Sequence, residues 1–118
     1  MERNILAEKT IEFAIRVVNC NKYLVTEKKE YTMSNQLLRC GTSIGANVHE
    51  GIFAQSRADF ISKLSISLKE ASETSYWLTI LHKTDYINQD FFQSLKMDVD
   101  EIIKIIISAI NTAKKNNA

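Results

Sequence analysis

The chain of 118 residues contains no proline, and its three glycines, Gly41, Gly45 and Gly51, all fall within the stretch "LRCGTSIGANVHEG". Without proline or scattered glycine, only short polar turns can interrupt a regular backbone, so long helices are the expectation. Cysteine is almost as scarce. Cys20 and Cys40 each sit in an apolar-periodic segment, where a thiol acts as a small core hydrophobe rather than as half of a disulfide. The two histidines, His49 and His82, lie far apart, and no Cys or His spacing matches a zinc site. Neither histidine follows a glutamate at the Glu-x-x-His spacing of a bundle di-iron centre. No metal and no cofactor are expected.

Charge of one sign is also missing. Fifteen Lys and Arg stand against fourteen Asp and Glu, leaving a formal charge of +1. A strongly basic nucleic-acid binder would carry a global positive footprint, so any such patch here must be local. The opening "MERNILAEK" is charged, and no apolar run reaches the ~18 residues of a membrane span. The expectation is a cytoplasmic protein without membrane contact, folded as one domain over residues 1–118.

What is present is helical periodicity. From about Asn4 to Glu27, one apolar row runs Phe13, Val17, Cys20, Leu24 and an adjacent one Ile11, Ala14, Val18, Val25. The charged "TEKKEYT" reads as a turn, with Thr32 or Ser34 as N-cap of a second helix reaching about Phe53 or Ala54. Ser56 with Asp59 three residues on resembles a capping box and opens "ADFISKLSISLKEASETSYWLTILHK". Asn88 is the expected N-cap of the fourth helix, with Ile87 and Phe92 as a staple, and Lys114 and Lys115 complement the negative end of its dipole. Four helices of about 22 to 28 residues, each roughly 33–42 Å long, result. Short connections force sequence neighbours to run antiparallel, which predicts an all-α, up-down-up-down four-helix bundle.

The fourth helix carries more apolar positions than one face holds. Ile102, Ile106 and Ala109 continue the row of Leu95 and Val99, Ile103, Ile107 and Ile110 form a second row, and Ile105 points elsewhere. A monomeric bundle needs about three core positions in seven, so the surplus predicts a homo-oligomer. Gly41 and Gly45 lie four apart and share a helix face with Leu38, Val48 and Ile52. That spacing fits neither G-x-G-x-x-G nor a P-loop. Each glycine inside a helix costs about 0.5–1 kcal/mol relative to alanine, which predicts close packing of another helix along them.

The second helix also carries a polar row, Gln36, Arg39, Ser43, Asn47 and Glu50, and the third supplies Asp59, Lys63, Lys69, Glu70 and Glu73, with Tyr76 and Trp77 beyond. Such a row is either a functional groove or a satisfied network that fixes register. The candidate network comprises Gln36, Ser43, Asn47, Glu50, Glu70 and Glu73. Glu70 and Glu73 have no accompanying nucleophile, metal set or cofactor motif, so an enzyme is not indicated. Toxin-type helical ribonucleases carry Arg-x(4-6)-His, and neither His49 nor His82 has an arginine that close upstream.

The segments "SNQLLRCGTSIGANVHEG" and "SRADFISKLSISLKEASETSYWL", with "EKTIEFAIRVV" upstream, resemble the four-helix-bundle proteins related to the 23S rRNA intervening-sequence protein. The resemblance implies a homo-oligomer, a pentamer in known members. Members are encoded within intervening sequences of 23S rRNA genes, and a related branch assists diversity-generating retroelements by binding nucleic acid and reverse transcriptase. Cys40 and His49 stand where small residues are more usual, and the nucleic-acid-binding branch is more basic. Two non-enzymatic functions follow as expectations. One is an oligomeric module touching RNA or DNA through Arg16, Lys22, Arg39, Lys63 and Lys69, a weak patch made effective by repetition. The other is a structural or interaction module that docks a polypeptide partner.

Overall fold

The computed structural model describes residues 4–116, and every regular element within them is helical. The order is α1 (Ile5–Glu27), α2 (Thr32–Ile52), α3 (Arg57–Lys83) and α4 (Gln89–Lys115). The helices lie side by side in a body of 50 × 25 × 20 Å. α2 packs on both α1 and α3, α3 on α4, and α1 meets α4 along the narrowest seam.

Side chains set where the helices begin. The Ala7 N–H donates to Asn4 Oδ1 at 2.8 Å, the Asp59 N–H to Ser56 Oγ at 3.0 Å, and the Phe91 N–H to Asn88 Oδ1 at 2.9 Å. The Ser56 and Asn88 caps are those expected. Phe92 packs against the core that holds buried Ile87, and its ring also stacks on His82 with centroids 4.4 Å apart. For α2 the expected caps are wrong. Thr32 already lies in the helix, and the capping position falls on Tyr31, whose side chain makes no capping bond. The Glu30 carboxylate does the work instead, accepting the N–H groups of Thr32, Met33 and Ser34 at 3.1, 3.1 and 2.9 Å. One side chain thus satisfies three of the four orphan amides and places negative charge at the positive end of the dipole. This accounts for a glutamate that is only 8% exposed.

The shortage of glycine shows at two helix ends. Lys29 after α1 and Asp85 after α3 adopt left-handed backbone, with φ of 54° and 68°. The Glu30 N–H then reaches Leu24 O at 3.0 Å, and the Tyr86 N–H reaches Leu81 O at 2.9 Å. The α3 end is a Schellman closure, completed by the Asp85 N–H donating to His82 O at 3.1 Å, while the α1 end closes over one residue more; glycine is the usual residue at such a left-handed position.

The expected first row of α1, Phe13, Val17, Cys20 and Leu24, is fully buried. Its second row is not: Ala14, Val18 and Val25 are half-buried and Ile11 is 47% exposed. In α4 the buried row is Leu95, Val99, Ile102, Ile106 and Ile110. Ile110 therefore belongs to the core and Ala109 to its edge, a correction that follows from the drift of a straight helix against a seven-residue repeat. Ile103 and Ile105 pack at the core's margin, so much of the apparent surplus on α4 is absorbed within the chain.

All three glycines lie in α2 with ordinary negative φ and sit at helix contacts. A Cβ on Gly41 would meet Val17 Cγ1 and Cγ2 at 2.8 Å, one on Gly45 would meet Thr10 Cβ at 3.1 Å and the Thr10 carbonyl at 3.4 Å, and one on Gly51 would meet Leu64 Cδ1 at 2.9 Å. The expected close approach at Gly41 and Gly45 is made by α1. Polar bonds reinforce the register: Asn21 Nδ2 donates to Ser34 O at 3.1 Å between α1 and α2, and buried Ser67 Oγ donates to Ile44 O at 2.8 Å between α3 and α2.

Three outcomes test these contacts by urea unfolding. Gly41→Leu destabilises by more than about 2 kcal/mol through overpacking against Val17, whereas Gln55→Leu at an exposed site changes stability by less than about 0.5 kcal/mol; equal effects would refute close packing at Gly41. Glu30→Ala costs about 1–2 kcal/mol, as for loss of a strong helix cap. Lys29→Gly and Asp85→Gly each stabilise by up to about 1 kcal/mol by relieving left-handed strain, and destabilisation by both would contradict that account.

Candidate functional site

The polar row on α2 faces α3, and its members are mostly occupied with one another. Arg39 Nη1 pairs with Glu70 Oε2 at 3.3 Å and Arg39 Nη2 with Glu73 Oε2. Glu73 Oε2 also accepts from Trp77 Nε1 at 3.2 Å, and the Trp77 ring meets Tyr76 edge-on at 5.0 Å. One turn apart along α2, Ser43 Oγ donates to Arg39 O at 2.7 Å and Asn47 Nδ2 to Ser43 O at 2.9 Å. Lys63 Nζ lies 3.9 Å from Glu50 Oε1. The hydrogen bonds from Arg39 and Trp77 hold the Glu73 carboxyl below its ordinary value, and Glu73 in turn raises Arg39. Of the six candidate network residues, Glu70 and Glu73 join through Arg39, Ser43 and Asn47 form a helix-local chain, and Glu50 pairs separately with Lys63. Gln36 is half-buried beside them. The arrangement ties α2 to α3 through half-buried carboxylates, Glu70 and Glu73, and offers no nucleophile with an adjacent base among the described residues.

The five candidate cations are not gathered on one surface. Arg16 bridges α1 to α4, binding Asp98 and donating from Nη2 to Ser94 Oγ at 2.8 Å. Lys22 lines the groove between α1 and α2. Arg39 and Lys63 lie on the α2–α3 face with carboxylate partners, and Lys69 is exposed on α3. Only Lys22 and Lys69 of the five lack an ion pair among the described residues.

Two concavities accompany these faces. A cleft of about 510 Å³ between α1 and the start of α4 is lined by Arg16, Asn19, Cys20, Tyr23, Ile87, Asn88 and Phe91. A groove of about 460 Å³ between α1 and α2 is formed by Ile11, Ala14, Ile15, Val18, Ala46 and His49, with Lys22 at one edge. Ile11 and Ile15 there are 47% and 57% exposed. Both cysteines are buried free thiols. Burial pushes the Cys20 thiol up to about 11 and raises Cys40 as well, so neither supplies a thiolate nucleophile at neutral pH. Among the described residues, no three His, Cys, Asp or Glu side chains are placed to hold a metal ion, and no helix is long and apolar enough to cross a membrane.

The sequence pattern placed the polar residues on one face but not their pairing. It also missed Glu30, Asn21 and Ser67, because a turn glutamate, an asparagine and a serine within helices carry no signal until the partner backbone is in place.

The lowered Glu73 makes a pH prediction. Its favourable contribution is present above the unfolded carboxylate value and is lost as pH falls through the lower folded value. In Arg39→Ala the largest cause of that lowering is removed, so the acid transition of the Trp77 indole N–H, followed by NMR, moves to higher pH. An unchanged midpoint would rule out Arg39 as the dominant partner.

The family model described as 23S rRNA-intervening sequence protein matches residues 2–108. A crystal structure of a protein of unknown function from the S23 ribosomal protein family of Bacteroides thetaiotaomicron is 55% identical, with a TM-score of 0.89, over 90% of this chain and 98% of that one. No curated protein matches the chain. Nearly the whole helical body is thus shared in sequence pattern and in shape, and the chain belongs to the 23S rRNA-intervening sequence protein family.

Proposed function

We propose that this protein is a non-enzymatic, up-down-up-down helical bundle that assembles with copies of itself and acts as a binding scaffold. Pairings between helices support the topology. Asn21 meets Ser34 while Thr10 meets Gly45, Arg39 meets Glu73 while Glu50 meets Lys63, and Arg16 meets Asp98 while Lys9 meets Glu101. In each case residue numbers fall on one helix as they rise on the other, and His82 on Phe92 with Arg57 on the Asn116 carbonyl repeats the pattern for α3 and α4.

The observation that carries the assembly is the α1–α2 groove. Ile11 and Ile15 project beside half-buried Ala14 and Val18, forming a contiguous apolar strip of the kind that marks interaction sites. The exposed surplus thus lies on α1 more than on α4, where Ile107 at 42% is the exposed member of the isoleucine rows. Resemblance to pentameric family members supports a closed ring.

Nucleic-acid contact is a second reading, favoured by Lys22, which lines the same groove and has no ion pair among the described residues. Within one chain the candidate cations are dispersed, so RNA or DNA would be held by Lys22 and Lys69 repeated around an assembly. A polypeptide partner docking on the assembled rim is the alternative.

Light scattering on size-exclusion-purified protein at low and high salt tests this. The wild-type chain is expected at a multiple of its 13.5 kDa mass, and Ile15→Glu is expected to shift it toward that mass while far-UV circular dichroism stays helical. A monomeric wild type would overturn the assembly. Nucleic acid that co-purifies at low salt and leaves at high salt would support the second reading, and its absence would favour a polypeptide partner.

A further inference from the structure

We draw no further inference here: the strongest candidate, the cleft between α1 and α4 floored by Cys20 and Ile87, carries none because Arg16 and Asn88 at its rim are already bonded within the chain and nothing in the structure shows what covers its apolar walls.

Discussion

The close approach of α1 to α2 is the constraint on which the rest of the bundle depends. Val17 and Thr10 lie where side chains on Gly41 and Gly45 would be, so the two helices interlock at a separation that alanine would widen. Once they are that close, their relative height is fixed, and Asn21 can reach the Ser34 carbonyl. Helix-interior glycine is unfavourable on its own by about 0.5–1 kcal/mol, and the dispersion contacts of a fully buried Val17 offset that cost. The same helix then presents its opposite flank to α3, where Ser67 binds the Ile44 carbonyl and Gly51 admits Leu64. Helix α2 is therefore the spine against which both neighbours are set.

The outer polar row is a consequence of that register. Arg39 falls between Glu70 and Glu73 because Gly51 and Ile44 have already fixed α3 against α2. Arg39 and Glu73 keep half and about one third of their side-chain surfaces exposed, at 50% and 35%, so solvent screens the pair and its worth lies in direction more than in depth of energy. A helix slipped by one turn would leave the guanidinium one carboxylate in place of two, since Glu70 and Glu73 stand about one turn apart on α3. In the network reading of the row, this doubled pairing favours the observed register over a slipped one that keeps a single pair.

Fold class was legible in the sequence because the signals for it are local. Absence of proline, a 3.6-residue apolar rhythm, and Ser56 and Asn88 before their helices all act within a few residues, and the helices follow. Where the reading failed, distant or backbone geometry decided. Glu30 replaced Thr32 and Ser34 as the cap of α2 because the left-handed Lys29 turns the chain so that a carboxylate lies over three amides. Ile110 displaced Ala109 from the core through a small angular drift that accumulates along a 27-residue helix. The polar face was legible as a face and illegible as a set of pairs, since pairing requires the height of α3 against α2.

Ion pairing limits what a single copy can recognise. Arg16, Arg39 and Lys63 each face a carboxylate supplied by the same chain, so an external anion would have to compete with a partner that is tethered at high effective concentration. Lys22 escapes that competition and adjoins the exposed isoleucines of α1. If copies associate as proposed, apolar association and anion binding at Lys22 draw on one surface, while Lys69 on α3 stands apart from it: burying Ile11 and Ile15 against another copy would place Lys22 at the junction. Assembly would then decide whether this cation is neutralised or concentrated, and with it whether a near-neutral chain can hold a polyanion at all.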